Sequence, residues 1–213
     1  MGGEHVVSRR LMLRNDSGAT PILPPEYQQV EWIGSSGTQF INTGYTKYEN
    51  GVYCRFMLDS VPTSEICVFG KLEGGYNGYY WLYKAANSQN WNVYRGRKQF
   101  GIGEITTNQW HTLSLQGDYD NQTVEFDGVS KSQNYESQGN ITTSRPIYLF
   151  GNNFNASFRY GATCKIKRFT IDNFADFIPA YRKSDGVIGM YDIIREIFYT
   201  NSGTGTFTKG ADV

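Results

Sequence analysis

The chain has 213 residues, 15% of them aromatic, and its 20 Lys and Arg balance 20 Asp and Glu. Electrostatic capture of nucleic acid or of an anionic membrane needs a basic excess, so neither partner is expected. The length suits one all-β domain, which commonly runs to about 200–250 residues, and three cysteines without a Cys-x-x-Cys pair argue against a zinc site or a disulfide framework.

Residues 1–25 read as an arm or linker ahead of a domain at 26–213. They carry Arg9, Arg10 and Arg14, then Asn15 to Gly18 as a turn, and Pro21, Pro24 and Pro25, which disfavour helix and central strand. Arg9, Arg10, Leu11, Leu13 and Arg14 are candidate anchoring residues toward a neighbouring subunit; the alternative is a floppy terminus. Leu11, Met12 and Leu13 form too short an apolar run for a signal core or a membrane span, so export by the usual route is not expected. Val6 stands where a myristoylation start wants Ser or Thr. The Asn-x-Ser/Thr triplets at Asn15, Asn121, Asn140 and Asn155 are expected by chance in so polar a chain.

From Glu26 onward, period-two alternation dominates. It predicts strands near 39–43, 53–58, 66–71, 78–84, 91–95, 111–115, 123–126, 146–150 and 164–171, each bounded by Gly, Asn, Asp or Pro. Asp127 and Gly128 predict a two-residue hairpin turn, since positive φ is tolerated at both. Residues 190–199 stay ambiguous. Tyr191, Ile194 and Phe198 have helical spacing, while Ile193, Ile197 and Tyr199 equally suit two strands about a turn near Arg195 and Glu196. Many short strands without a long helix predict an all-β, antiparallel two-sheet jelly-roll sandwich. Cys54 shares parity with Phe56 and Leu58 and, with Cys67 and Cys164, is expected to be a reduced structural thiol.

Tyr79 to Tyr83, with Trp91 and Tyr94 close behind, form the densest aromatic run. Aromatic faces lie against the apolar C–H faces of sugars, and amides and hydroxyls orient them. Tyr79, Trp81, Tyr83 and Trp91 are therefore candidate stacking platforms, with Asn87, Asn90 and Asn92 as hydrogen-bonding partners. Tyr and Trp are also favoured strand formers, so the same rings equally suit a core. Alternation puts Tyr79, Trp81 and Tyr83 on one face without saying which face is wet. Catalysis finds little support. Glu125 and Asp127 begin a Glu-x-Asp-x-x-Glu glucanase pattern, but Gly128, Val129 and Ser130 supply no second Glu. Of the two histidines, His5 lies in the arm, and His111 shares parity with Leu113 and Leu115, which suits a packed ring with a backbone partner. Asp118 and Asp120 are weak calcium candidates; without the Gly and terminal Glu of an EF-hand they suit a solvated turn better.

The run from Leu23 to Tyr45, beginning Leu-Pro-Pro-Glu-Tyr and ending Phe-Ile-Asn-Thr-Gly-Tyr, resembles the opening of a laminin-G-like, concanavalin A-like domain of bacteriophage and prophage virion proteins from Gram-positive gut bacteria. Phe177 to Asp192 and Phe198 to Phe207 resemble its end, and Trp110 to Thr112 with Val124 to Val129 its central strands, so the likeness covers about residues 22–213. The resemblance implies a two-sheet jelly roll with its ends close together, carried on tail or other virion-surface proteins. It also implies a hairpin at 190–199, although Ile194, Arg195 and Glu196 stand where the family has a Val-Asn-Asn-like turn. Function follows as an expectation: a non-enzymatic tail or capsid decoration, made in the bacterial host cytoplasm and displayed on the virion. Its partners would be other virion proteins through the arm and glycans of the host surface or mucus, with a homo-oligomer left open. The alternative is a purely structural subunit.

Overall fold

The computed structural model describes residues 23–47, 50–73, 79–96, 98–117, 121–134 and 144–213, with the backbone alone at Tyr79 and Asn134. His5, the anchoring candidates Arg9, Arg10, Leu11, Leu13 and Arg14, and the calcium candidates Asp118 and Asp120 lie outside the described residues.

In chain order the strands are β1 (Tyr27–Gln29), β2 (Ile33–Ser36), β3 (Ile41–Asn42), β4 (Val52–Leu58), β5 (Ile66–Leu72), β6 (Tyr79–Lys84), β7 (Trp91–Gly96), β8 (Lys98–Gly103), β9 (His111–Gly117) and β10 (Asn121–Phe126). They continue as β11 (Val129–Asn134), β12 (Tyr148–Leu149), β13 (Gly151–Phe154), β14 (Ser157–Arg159), β15 (Thr163–Ile171), β16 (Ala175–Arg182), β17 (Ile188–Asp192), β18 (Ile197–Thr200) and β19 (Thr208–Lys209). One sheet runs β11-β10-β9-β4-β15-β16-β17-β18, with β1 on β16, and with β2 paired to β15 and β19. The second runs β14-β13-β5-β6-β7-β8, with β12 joining β3 to β5. The ladders are antiparallel except for β13 against β5.

Alternation explains the two layers. In β4, Val52, Cys54, Phe56 and Leu58 are buried while the residues between them are half-exposed, so one face is packed and the other partly wet. The packed faces meet in a core that includes Phe56, Phe69, Tyr80, Leu82, Trp91, Val93, Leu113, Phe169 and Phe177. Phe69 and Phe169 join the sheets edge to face at 5.2 Å, and each buried ring of this kind contributes about 1.5–3 kcal/mol. Cys54, Cys67 and Cys164 are free and buried, and burial pushes all three thiols up, which keeps them protonated and unreactive.

The Asp127–Gly128 turn forms as predicted: Phe126 pairs with Val129, and the turn residues have φ of 46° and 82°. Residues 190–199 form the hairpin of β17 and β18. Asp192 decides it. Its buried carboxylate accepts from the Asp176 and Ile194 amides, each at 3.0 Å, and from Arg195 Nε at 2.5 Å. The Arg195 guanidinium lies 4.0 Å from the Phe174 ring centroid and donates to the Thr43 carbonyl at 3.2 Å, so Arg195 anchors a turn whose sequence departs from the expected type. Residues 23–25, assigned to the arm by sequence, lie on the sandwich. Leu23 packs against the apolar group of Ile178, Ala180 and Tyr191, and Lys183 Nζ donates to the Pro25 carbonyl at 2.9 Å.

Candidate functional site

The second sheet turns one face to the core and carries a separate aromatic cluster on the other. Directly paired residues share a face, so the register fixes what stands there. One row across the strands is Arg159, Asn152, Gly70, Trp81, Tyr94 and Gln99. A second is Cys67, Tyr83, Asn92 and Gly101. Phe154, opposite Leu72, completes the apolar part.

Trp81 and Tyr83 stack on each other with centroids 4.3 Å apart and planes 5° apart. Because i and i+2 positions lie about 6.6 Å apart along a strand, two parallel rings this close turn their faces toward each other and their edges outward. They are 6% and 8% exposed, so they form the floor of the face. Half-buried tyrosines lean on this stack: Tyr94 meets Trp81 at 5.7 Å and 66°, and Tyr160 meets Tyr83 at 5.9 Å and 62°. Phe154 stands perpendicular to Tyr160 at 6.0 Å. These tilted contacts are favoured electrostatically over face-to-face pairing.

Two backbone features make this packing possible. A Cβ on Gly70 would lie 2.4 Å from the Cβ of Trp81, so only glycine lets the indole stand directly across from β5. Tyr160 has φ of 57°, a conformation that costs a non-glycine residue about 1 kcal/mol, and its carbonyl accepts from the Cys67 amide at 2.7 Å.

Glu65 ties the cluster together. Tyr83 Oη donates to Glu65 Oε1 at 2.5 Å, and the Tyr160 phenol lies within electrostatic reach of the same carboxylate. Burial, reinforced by the Glu65 interaction, raises both phenols above their ordinary range, and burial alone raises Tyr94. All three are therefore neutral hydroxyls at physiological pH. Gln99 Nε2 donates to Asn92 Oδ1 at 2.6 Å beside the ring floor. The buried amide of Asn152 finds no hydrogen-bond partner for either polar atom among the described residues.

Trp81, Tyr83 and Asn92 are thus brought together, and pairing puts Tyr79 on the same face, although its side chain lies outside the described residues. Trp91 is not a platform. The pairing of Lys84 with Trp91 turns its ring inward, where it is 0% exposed in the main core. Asn87 and Asn90 lie in the exposed turn at 85–90, where the Asn87 amide donates to the Thr63 carbonyl and the Asn90 amide to Ser88 Oγ. Sequence reasoning missed Glu65, Gln99, Phe154 and Tyr160 and left Tyr94 without a role. Tyr94 alone carried a signal, its parity with Trp81 across a short hairpin.

His111 is packed, as expected. Nδ1 lies 2.6 Å from Asp127 Oδ2 and Nε2 lies 2.9 Å from the Thr106 carbonyl, so both ring nitrogens are engaged. Asp127 also accepts from the Thr112 amide at 2.7 Å, so its carboxylate serves the hairpin.

No family model and no curated protein matches the sequence. Solved structures share the architecture. The native heptameric SAP-like pentraxin from Limulus polyphemus superposes with a TM-score of 0.50 at 10% identity, over 68% of this chain and 76% of that one. The fold is a concanavalin A-like jelly roll. Domains LG4-5 of the mouse laminin alpha1 chain give 0.50 at 9% identity over 90% of this chain, and a point mutant of the NanB sialidase from Streptococcus pneumoniae gives 0.50 at 16% over 68%. The chain spans 48% of the laminin fragment and 26% of the sialidase, and at such identities the likeness is one of fold.

Proposed function

We propose that this chain is a non-enzymatic bacteriophage virion-surface protein, a tail or capsid decoration, whose jelly roll adheres to host-surface or mucosal glycans through the outer face of the second sheet. The observation that carries the glycan reading is the aromatic cluster itself: a second set of rings, outside the core, bordered by Asn92, Gln99 and Glu65. Half-exposed tyrosine rings suit sugar C–H faces, and the bordering groups suit hydroxyls. The left-handed Tyr160 supports the same reading, because it costs stability that a purely structural face has no reason to forgo. The virion context rests on the resemblance of Leu23 to Tyr45 and Phe177 to Asp192, with Arg9, Arg10, Leu11, Leu13 and Arg14 as the anchoring segment.

Retention on mucin and on host cell-wall polysaccharide beads tests the binding. Wild-type protein is retained, whereas Tyr94→Ala with Tyr160→Ala is not, while circular dichroism shows the double variant folded. Equal retention of the two proteins would sink the assignment of this face.

A second reading, a structural subunit, draws on a different surface. Ile194 and Ile197 are 39% and 45% exposed beside the apolar group of Tyr27, Tyr191 and Phe198, a patch suited to a neighbouring subunit. Ile194→Ser with Ile197→Ser then blocks incorporation into particles and leaves glycan retention intact.

A further inference from the structure

The geometry around Glu65 points to a ligand class: we infer that the face selects neutral sugars, with the Glu65 carboxylate accepting from adjacent sugar hydroxyls. This rests on the glycan reading of the same face. A carboxylate offers about four lone-pair sites. The Tyr83 phenol fixes its orientation and occupies part of that capacity, and Glu65 is only half-buried, so the remainder is open to a ligand. The Tyr83 phenol spends its hydrogen on Glu65, which leaves its oxygen as an acceptor. Glu65 and the Tyr83 oxygen are therefore acceptors, and what they need is donors. Neighbouring hydroxyls of a neutral hexose supply two donors at the spacing of one carboxylate.

A uronate, sialate or sulfate group brings acceptors and a charge of the wrong sign, and repulsion strengthens where water is partly excluded. Arg159 is the cation in the same row, but its guanidinium stands 5.4 Å over the Phe154 ring rather than on the carboxylate. The aromatic floor of Trp81 and Tyr83 with Tyr94 beside it meets the sugar ring, and Glu65 fixes which edge faces inward.

Affinity electrophoresis of the full chain through gels holding neutral polymers (galactomannan, soluble β-glucan) or anionic ones (polygalacturonate, chondroitin sulfate) tests this. At least one neutral polymer retards the wild-type protein and neither anionic polymer does. Glu65→Gln weakens neutral retention about tenfold or more, the worth of a hydrogen bond to a charged group, while its melting curve confirms folding. Arg159→Ala leaves neutral retention unchanged. Retardation by an anionic polymer, or undiminished neutral retention in Glu65→Gln, overturns this inference and leaves glycan binding standing. No retardation by any of the four overturns this inference, and retention on the mucin and cell-wall beads then decides separately whether the glycan reading stands.

Discussion

Replacing Lys71 by Met should remove a specific pH dependence of stability. Lys71 is fully buried, with Nζ donating to the Thr46 and Lys47 carbonyls at 2.5 and 2.8 Å and standing 5.5 Å from the Tyr45 ring. Burial pushes its ammonium down from 10.5 to about 7, and the Glu73 carboxylate opposes the shift. Between these values the unfolded chain holds a proton that the folded chain has lost, so stability rises with pH across that window and falls as the pH drops toward 7. From pH 7 to 8.5 the unfolded lysine stays protonated while the folded one goes from half to almost fully deprotonated, a gain of about 1.5 kcal/mol. For a domain of this size that is about 3–6 °C in midpoint. Burial shifts other groups too: the three buried thiols are pushed up and Lys84 is pushed down. They contribute equally to both proteins and cancel in a comparison. Thermal unfolding of wild type and Lys71→Met at pH 6, 7, 8 and 8.5 should therefore give a difference that shifts in favour of wild type by about 1.5 kcal/mol from pH 7 to 8.5. A difference that stays flat refutes the buried-lysine argument.

Trp91→Ala is expected to lose about 3–5 kcal/mol in urea unfolding, because the ring leaves a cavity between the sheets. A loss under about 1 kcal/mol would put the indole at the surface instead. Arg195→Ala is expected to cost about 2–4 kcal/mol by leaving the Asp192 carboxylate buried without its ion-pair partner, and Arg195→Ala with Asp192→Asn should recover part of that loss; additive losses refute the coupling.

The two-sheet fold was legible wherever strands have one packed and one wetter face, as in β4 and β9. The extended segments β8, β13 and β14 were not. Lys98–Gly103 carries glycine at positions 101 and 103, and Gly151–Phe154 opens on glycine and two asparagines, so neither shows the apolar alternation that marks a strand. The site was half legible. Parity put Trp81 and Tyr83 together, but the face of Trp91 depends on how many residues the 85–90 turn takes up, and one residue more or less reverses it. Tyr160 and Glu65 lie far apart in sequence, and their meeting depends on a parallel pairing of β13 with β5 and on one left-handed residue, neither of which leaves a local pattern.

The second sheet divides its labour by side-chain parity. Tyr80, Leu82, Trp91 and Val93 point into the sandwich, while Trp81, Tyr83, Asn92 and Tyr94 alternate with them on the same two strands. Outward positions can therefore change by single substitutions while their inward neighbours keep the scaffold intact. The hairpin of β13 and β14 adds to this freedom, since a short exposed turn at 155–156 joins the strands that bring Phe154 and Tyr160 to the rim. Such a surface is evolvable: the chemistry it presents can drift one side chain at a time without the chain passing through an unfolded intermediate.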